Sequence, residues 1–237
     1  MITSLENKTV KELHKLHLKK YRKDAFLILD ENLIKLAKQH NYLKQLIYTD
    51  ELPFDFDNTL HVSKEVLNKI ANQNNLKYIG VSKMIEEKED YKNRVVILDN
   101  LQDPLNIAKI MEGCLLFGFD SIILSENCAD IYNEKCLRDC KGGIYLLNIK
   151  RADIIKEIDI LKKDGFKVYA TGLSNNTKFI DEIDKQDKMA FVLGNEGSGV
   201  SKQVMDICDE IIKIDMCNID SLNVAMAASI IMYQFSI

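Results

Sequence analysis

The chain has 237 residues, 46% of them hydrophobic, enough for a sizeable core in one large domain or two modest ones. A formal net charge of −4 excludes a global electrostatic pull toward nucleic acid, so any RNA affinity must come from a local patch. No apolar run is long enough to span a membrane, and the lysine-rich start lacks the apolar segment of a secretory signal.

Val10, Leu13, Leu16 and Tyr21 recur at helical spacing at the start of the chain. Within this stretch Lys8, Lys11, Lys15, Lys19, Lys20, Arg22 and Lys23 face only Glu6 and Glu12, with His14 and His17 among them. Such a cluster is the electrostatic footprint of contacts to a phosphate backbone. Phe26-Leu27-Ile28-Leu29 predicts a strand, residues 31–40 a helix, and Leu46-Ile47-Tyr48 and Leu60-His61-Val62 two more strands. Ser63 is the expected N-cap of a helix reaching Ala71, with Glu65 in its first turn, and Tyr78-Ile79-Gly80-Val81 closes the segment as a strand. The following residues carry both charges densely and predict a linker. The expected organisation is a small α/β domain over residues 1–83, a linker over 84–94 and a larger domain over 95–237.

The pattern then changes. Val95-Val96-Ile97-Leu98, Ser121-Ile122-Ile123-Leu124, Val168-Tyr169-Ala170, Ala190-Phe191-Val192-Leu193 and Ile211-Ile212-Lys213-Ile214 are apolar runs typical of strands buried on both faces. Helical stretches over 106–117, 152–163, 201–206 and 223–235 separate or follow them. Strands alternating with helices predict an α/β domain with a parallel sheet, whose ligands lie beyond the carboxyl ends of the strands. The six cysteines, Cys114, Cys128, Cys136, Cys140, Cys208 and Cys217, form no CxxC pair, so no metal site is expected. Cys136 and Cys140 read as two small, half-buried residues one helical turn apart, and the chain as a protein of the reducing cytoplasm.

Three loops follow predicted strands. In the first, Pro104 forces Asp103 to be extended, and Asn106 stands at a helix start, free to cap it or to face a ligand. The second, Gly194-Asn195-Glu196-Gly197-Ser198-Gly199, permits positive φ and close backbone approach. It has neither the Gly-Lys-Ser/Thr ending of a nucleotide-triphosphate loop nor dinucleotide GxGxxG spacing, and Glu196 would repel phosphate. The third ends in Ser221-Leu222-Asn223-Val224, with Ser221 as the expected cap of an apolar helix rich in small residues. Each loop alone also reads as a capped or glycine-rich turn.

In this order and wording the three loops resemble the signature motifs of the SpoU (TrmH-type) RNA 2′-O-ribose methyltransferases, over residues 95–235. The opening residues, among them Asn7, Val10, Lys11, Leu13, Tyr21 and Arg22, resemble the start of that family's small RNA-binding domain. The resemblance implies a trefoil-knotted parallel-sheet domain preceded by a small α/β substrate-binding domain. It implies a homodimer through the carboxyl-terminal domain, S-adenosylmethionine as cofactor, tRNA or rRNA as partner, and no metal or membrane. By motif matching the cofactor would lie against Thr171, Gly172, Leu193, Gly194, Ile214, Met216 and Leu222, while Asn106, Glu196, Ser221 and Asn223 fall on active-site positions. Arg138 stands where the family has an arginine-led run.

The departures are as specific. The family's first motif continues to an arginine where this chain has Glu112. Leu105 replaces a glycine, Asp215 a proline, and the stretch from Met216 to Ser221 is one residue short. Lys109, one turn before Glu112, or Arg138 would then supply the missing cation. The alternatives are a protein that binds RNA or S-adenosylmethionine without methylating, and one in which Glu112 serves a different acceptor.

Overall fold

The computed structural model describes every residue except Glu89, Asn175, Ile219, Asp220 and Ile237. The first elements are α1 (Lys8–Lys15), β1 (Ala25–Ile28), α2 (Glu31–Gln39), β2 (Leu43–Tyr48), β3 (Thr59–His61), α3 (Lys64–Ala71) and β4 (Tyr78–Lys83). There follow β5 (Arg94–Asp99), α4 (Pro104–Phe117), β6 (Ser121–Leu124), α5 (Glu134–Asp139), α6 (Gly143–Leu146), β7 (Asn148–Arg151), α7 (Ile154–Lys163) and β8 (Lys167–Thr171). The last are β9 (Lys178–Phe179), β10 (Met189–Gly194), α8 (Lys202–Met205), β11 (Glu210–Lys213) and α9 (Val224–Gln234). They fall into two units, Met1–Glu86 with Tyr132–Tyr145, and Glu87–Ile131 with Leu146–Ile237.

The first unit is built on a four-stranded sheet of order β1-β4-β2-β3, with β4 antiparallel to both its neighbours and β3 parallel to β2. Leu27, Ile47, Ile79 and Val81 point to one face, where Val10 of α1 and Val66 and Ile70 of α3 cover them. The helical spacing of Val10, Leu13 and Leu16 ends as a helix at Lys15, and Tyr21 belongs to a separate 3-10 turn at Lys19–Tyr21. His14 and His17 use their rings to fasten this stretch to the end of α3, at the carbonyls of Lys69 and Ile70, each at 2.7 Å. Ser63 caps α3 as expected.

Residues 132–145 pack onto the same unit. Tyr145 donates to Ser82 Oγ at 2.7 Å and stacks on Tyr42, while the Tyr132 ring lies 4.7 Å from that of Phe26. Cys136 and Cys140 are 1% and 0% exposed, fully buried rather than half-buried, because the short α5 turns both of them into this packing.

The second unit holds a seven-stranded sheet of order β7-β6-β5-β10-β8-β11-β9, parallel throughout. The apolar runs form its centre: every residue of β5, β6 and β10 is buried. Arg94 opens β5 with its guanidinium buried, satisfied by the carbonyls of Phe235 (2.9 Å), Asp187 (2.6 Å) and Asn93 (3.0 Å). This anchors the end of α9 beside the sheet. Helices α4 and α9 pack side by side, and a Cβ at Gly113 would meet the flexible tip of Met232, Cε at 2.3 Å, which would have to move aside.

Candidate active site

The parallel register puts several chain reversals at one edge of the sheet. Gly194 pairs with Asp99, so the loops after β5 and β10 start side by side, and β8 and β11 continue the row. Asp103 is extended (φ −90°, ψ 115°), as Pro104 requires, and its Oδ1 accepts from Leu105 N at 2.9 Å. Asp103 is therefore the cap of α4. Asn106, released from capping, turns its half-amide toward the neighbouring loops and is only 8% exposed.

Asn106 Nδ2 donates to Glu196 Oε1 at 3.0 Å, and its Oδ1 accepts from Asn223 Nδ2 at 3.1 Å. Glu196 also accepts from the backbone N–H of Asp103 (3.2 Å) and Gln102 (3.3 Å). One chain of hydrogen bonds thus joins the loops after β5 and β10 to the start of α9. Partial burial pushes the Glu196 carboxyl up, but Asn106, its own backbone and the N–H groups of Gln102 and Asp103 outweigh this and hold it below the ordinary carboxylate range. At neutral pH it is an acceptor only, suited to orienting Asn106 and poorly suited to taking a proton.

Asn223, not Ser221, caps α9: its Oδ1 accepts from Ala225 N (2.9 Å) and Met226 N (3.3 Å), which turns its Nδ2 toward Asn106. Ser221 is exposed in the preceding loop, and the hydrogen bonds of the described residues do not join it to Asn106, Glu196 or Asn223. Ile219 and Asp220 of that loop lie outside the described residues.

The glycine-rich loop closes on itself. Asn195 and Gly199 exchange backbone bonds of 3.1 and 2.9 Å, and Asn195 Oδ1 accepts from Gly197 N and Ser198 N. Gly199 takes φ +71°, and a Cβ at Gly194 would lie 2.0 Å from Gly199 C and Val200 N. A side chain at Gly194 would therefore strike its own loop before reaching any ligand. Thr171 ends β8 and Gly172 follows it, Leu193 and Gly194 end β10, and Ile214 and Met216 follow β11. The expected cofactor residues thus cluster on three adjacent strands, with Leu222 on the loop that leads to α9.

Lys109 lines an open groove of about 410 Å³ between α4 and α9, with Asn106, Asn223, Ala225, Met226 and Ile230. Its Nζ lies 2.8 Å from Glu112 Oε2. The carboxylate in the family's arginine position therefore holds a lysine one turn away. Arg138 belongs to the first unit, exposed on α5, with Nη2 3.3 Å from Asp139 Oδ2. Sequence reasoning assigns no role to Asn100, Gln102 or Asn195, although Asn195 Nδ2 ties the two loops together through the Asn100 carbonyl at 2.8 Å. The available signal was the tendency of asparagine to bond its own backbone two or three residues on.

A parallel α/β sheet with a polar network at the carboxyl ends of its central strands defines a ligand-binding α/β protein of the doubly covered class. Residues 93–233 match the model of the SpoU rRNA methylase family. The chain is 31% identical to the 23S rRNA (guanosine(2553)-2′-O)-methyltransferase RlmP of Bacillus subtilis strain 168, over 98% of each chain. Its fold is similar to that of an rRNA methyltransferase from Sinorhizobium meliloti, with a TM-score of 0.89 and 24% identity over 98% of this chain and 95% of the other. It is similar also to the SpoU methyltransferase AviRb from Streptomyces viridochromogenes, with a TM-score of 0.84 and 20% identity over 97% of each. The chain belongs to the SpoU methylase family.

Proposed function

We propose that this protein is an RNA 2′-O-ribose methyltransferase that uses S-adenosylmethionine. The observation that carries the reading is the Asn106–Glu196–Asn223 network, assembled from separate loops at one sheet edge beside the cluster of expected cofactor residues. Half-buried Ile214 and Leu222 offer apolar surface there, and the ends of β8 and β10 offer backbone donors and acceptors, a set that suits an adenosine and a thioether chain. When bound, the cofactor supplies an activated methyl group. The chain's own part is to hold the ribose oxygen in line and to favour loss of its proton. Glu196 fixes Asn106, Asn106 fixes Asn223, and the two amides present oriented polar groups to the groove. Lys109 is the cation beside them. A positive charge near a hydroxyl favours its ionised form, and the same ammonium can meet an RNA phosphate. Ser221 completes the proposed set.

The likeness to RlmP makes 23S rRNA the first RNA to test. The basic stretch of residues 8–23 supports RNA docking by a separate domain over residues 1–83. The reading includes a homodimer through the second unit, supported by Leu116, Met226, Ile230 and Tyr233, which stand 70%, 56%, 39% and 70% exposed along α4 and α9. Val224 and Met232 of α9 and Phe235 just after it are buried within the chain itself and are not open to a partner. It also includes the family's trefoil knot. A cytoplasmic setting is supported by six free cysteines; among the described residues no helix is long and apolar enough to cross a membrane.

A second reading, binding without methylation, is favoured by the Lys109–Glu112 pair, which neutralises the groove's cation. One experiment separates the two: incubation of unmodified 23S rRNA with labelled S-adenosylmethionine, followed by alkaline hydrolysis. A labelled dinucleotide resistant to alkali, whose 2′-oxygen is blocked, is the expected product. Cofactor binding by calorimetry with no transfer to rRNA or tRNA would establish the second reading instead.

A further inference from the structure

Two adjoining hollows of about 300 and 430 Å³ open on the first unit and share Leu27, Leu29, Glu134, Leu137 and Arg138. They meet the carboxyl end of β1, the turn after α3 and the segment carrying α5. We propose that this hollow binds one unstacked nucleotide of the RNA substrate, with the base on the leucine wall and its phosphate at Arg138 and Lys135. The inference rests on the reading of the protein as an RNA-modifying enzyme, but it concerns a site remote in sequence from the methyl-transfer motifs.

The chemistry of the lining selects the occupant. Leu27 and Leu137 are buried and Leu29 half-buried, so the floor is apolar and would stay dry under a flat ring. Asn72 and Gln73 stand exposed at the rim and offer paired donors and acceptors of the kind that read a base edge. Arg138 and Lys135 are exposed on one helix, and among the described residues the Arg138 guanidinium meets its chain neighbour Asp139 at 3.3 Å, a solvent-screened contact that a phosphate can displace. Of the three acidic groups in the lining, Asp30 Oδ1 caps α2 through Leu33 N at 2.8 Å and Glu31 accepts from Tyr78, while Glu134 stands exposed on α5 between the hollows, outnumbered there by Lys135 and Arg138. His17 lines the hollow from within the basic stretch, with Lys15, Lys19 and Lys20 close to it in sequence. A hollow that takes one base suits a single strand, since a duplex keeps its bases stacked and paired.

The test uses the full chain and two fluorescein-labelled probes of one sequence, a single-stranded RNA and its duplex, with anisotropy read across salt concentrations. Wild type should bind the single strand more tightly. Arg138→Ala with Lys135→Ala should weaken that binding about tenfold, equivalent to about 1.4 kcal/mol, and lower the salt slope by about 0.7 for the one lost phosphate. Gln73→Trp, which fills the mouth from an exposed position, should weaken single-strand binding while leaving the duplex and S-adenosylmethionine affinities unchanged. Equal single-strand affinity in wild type and all variants would overturn the proposal, as would a wild type that prefers the duplex. Absence of methyl transfer alongside an intact single-strand preference that the variants abolish would instead sink the enzymatic reading and leave the hollow standing.

Discussion

Substituting Glu196 by glutamine tests the site at its centre. The carboxylate receives Asn106 Nδ2, Asp103 N and Gln102 N at 3.0, 3.2 and 3.3 Å, and glutamine can accept on only one of its two heads. Its amide then faces a backbone N–H, donor against donor. The Gln102 and Asp103 groups are exposed and recover water, whereas Asn106 is 8% exposed and cannot do so fully. The net loss is about 1–3 kcal/mol, or roughly 3–10 °C in melting temperature for a chain of this size. Loss of the fixed Asn106 orientation should lower kcat about 100-fold, with KM for RNA little changed. The fold holds this carboxyl below its ordinary range, so its stabilising contribution is complete above the unfolded value of about 4.3. It is lost as pH falls through the folded value. Glu196→Gln should therefore flatten the acid limb of the stability profile below about pH 4. The assays are melting against pH and single-turnover methyl transfer. Wild-type kcat in Glu196→Gln would refute the reasoning, because it would mean that Asn106 needs no anchor.

Lys109→Ala should reduce kcat/KM for RNA about 10-fold while leaving cofactor affinity unchanged, and Lys109→Arg should restore most of it; equal rates for all three proteins would remove Lys109 from the site. Gly194→Ala should cost about 1–3 kcal/mol by overpacking, since the new Cβ would overlap Gly199 and Val200, and cofactor binding should fall with the melting temperature; an unperturbed melt would contradict the loop geometry. Met226→Glu with Ile230→Glu should convert a dimer into a monomer by light scattering at working concentration, and unchanged mass would move the interface off α9.

The strands at the centre of the second unit were legible because burial on both faces leaves apolar runs such as Val95-Val96-Ile97-Leu98. The edge strands were not. β7 has a single buried residue, Ile149, among Asn148, Lys150 and Arg151, and β9 is only Lys178–Phe179, too short for any periodicity. Helix α5 was missed because its six residues carry no helical repeat, and the packing of residues 132–145 on the first unit depends on Tyr132 and Tyr145 meeting Phe26 and Tyr42 across more than a hundred positions. The motif residues Asn106, Glu196 and Asn223 were found by wording, but their division of labour was not. Whether Asn106 or Asp103 caps α4, and Ser221 or Asn223 caps α9, turns on which side chain folds back on its own helix, a choice between neighbours with equal propensity.

The Asn106–Asn223 bond spans 117 positions, and the Arg94 clasp on Phe235 spans 141. During synthesis Asn106 and Glu196 leave the ribosome well before Asn223, and α9 is still inside the exit tunnel when the rest of the sheet can first form. The network therefore closes only after α9 has emerged. A growing chain carries no finished site until then. A stop codon just before Asn223 should accordingly yield a protein whose sheet can still form and whose chemistry never begins.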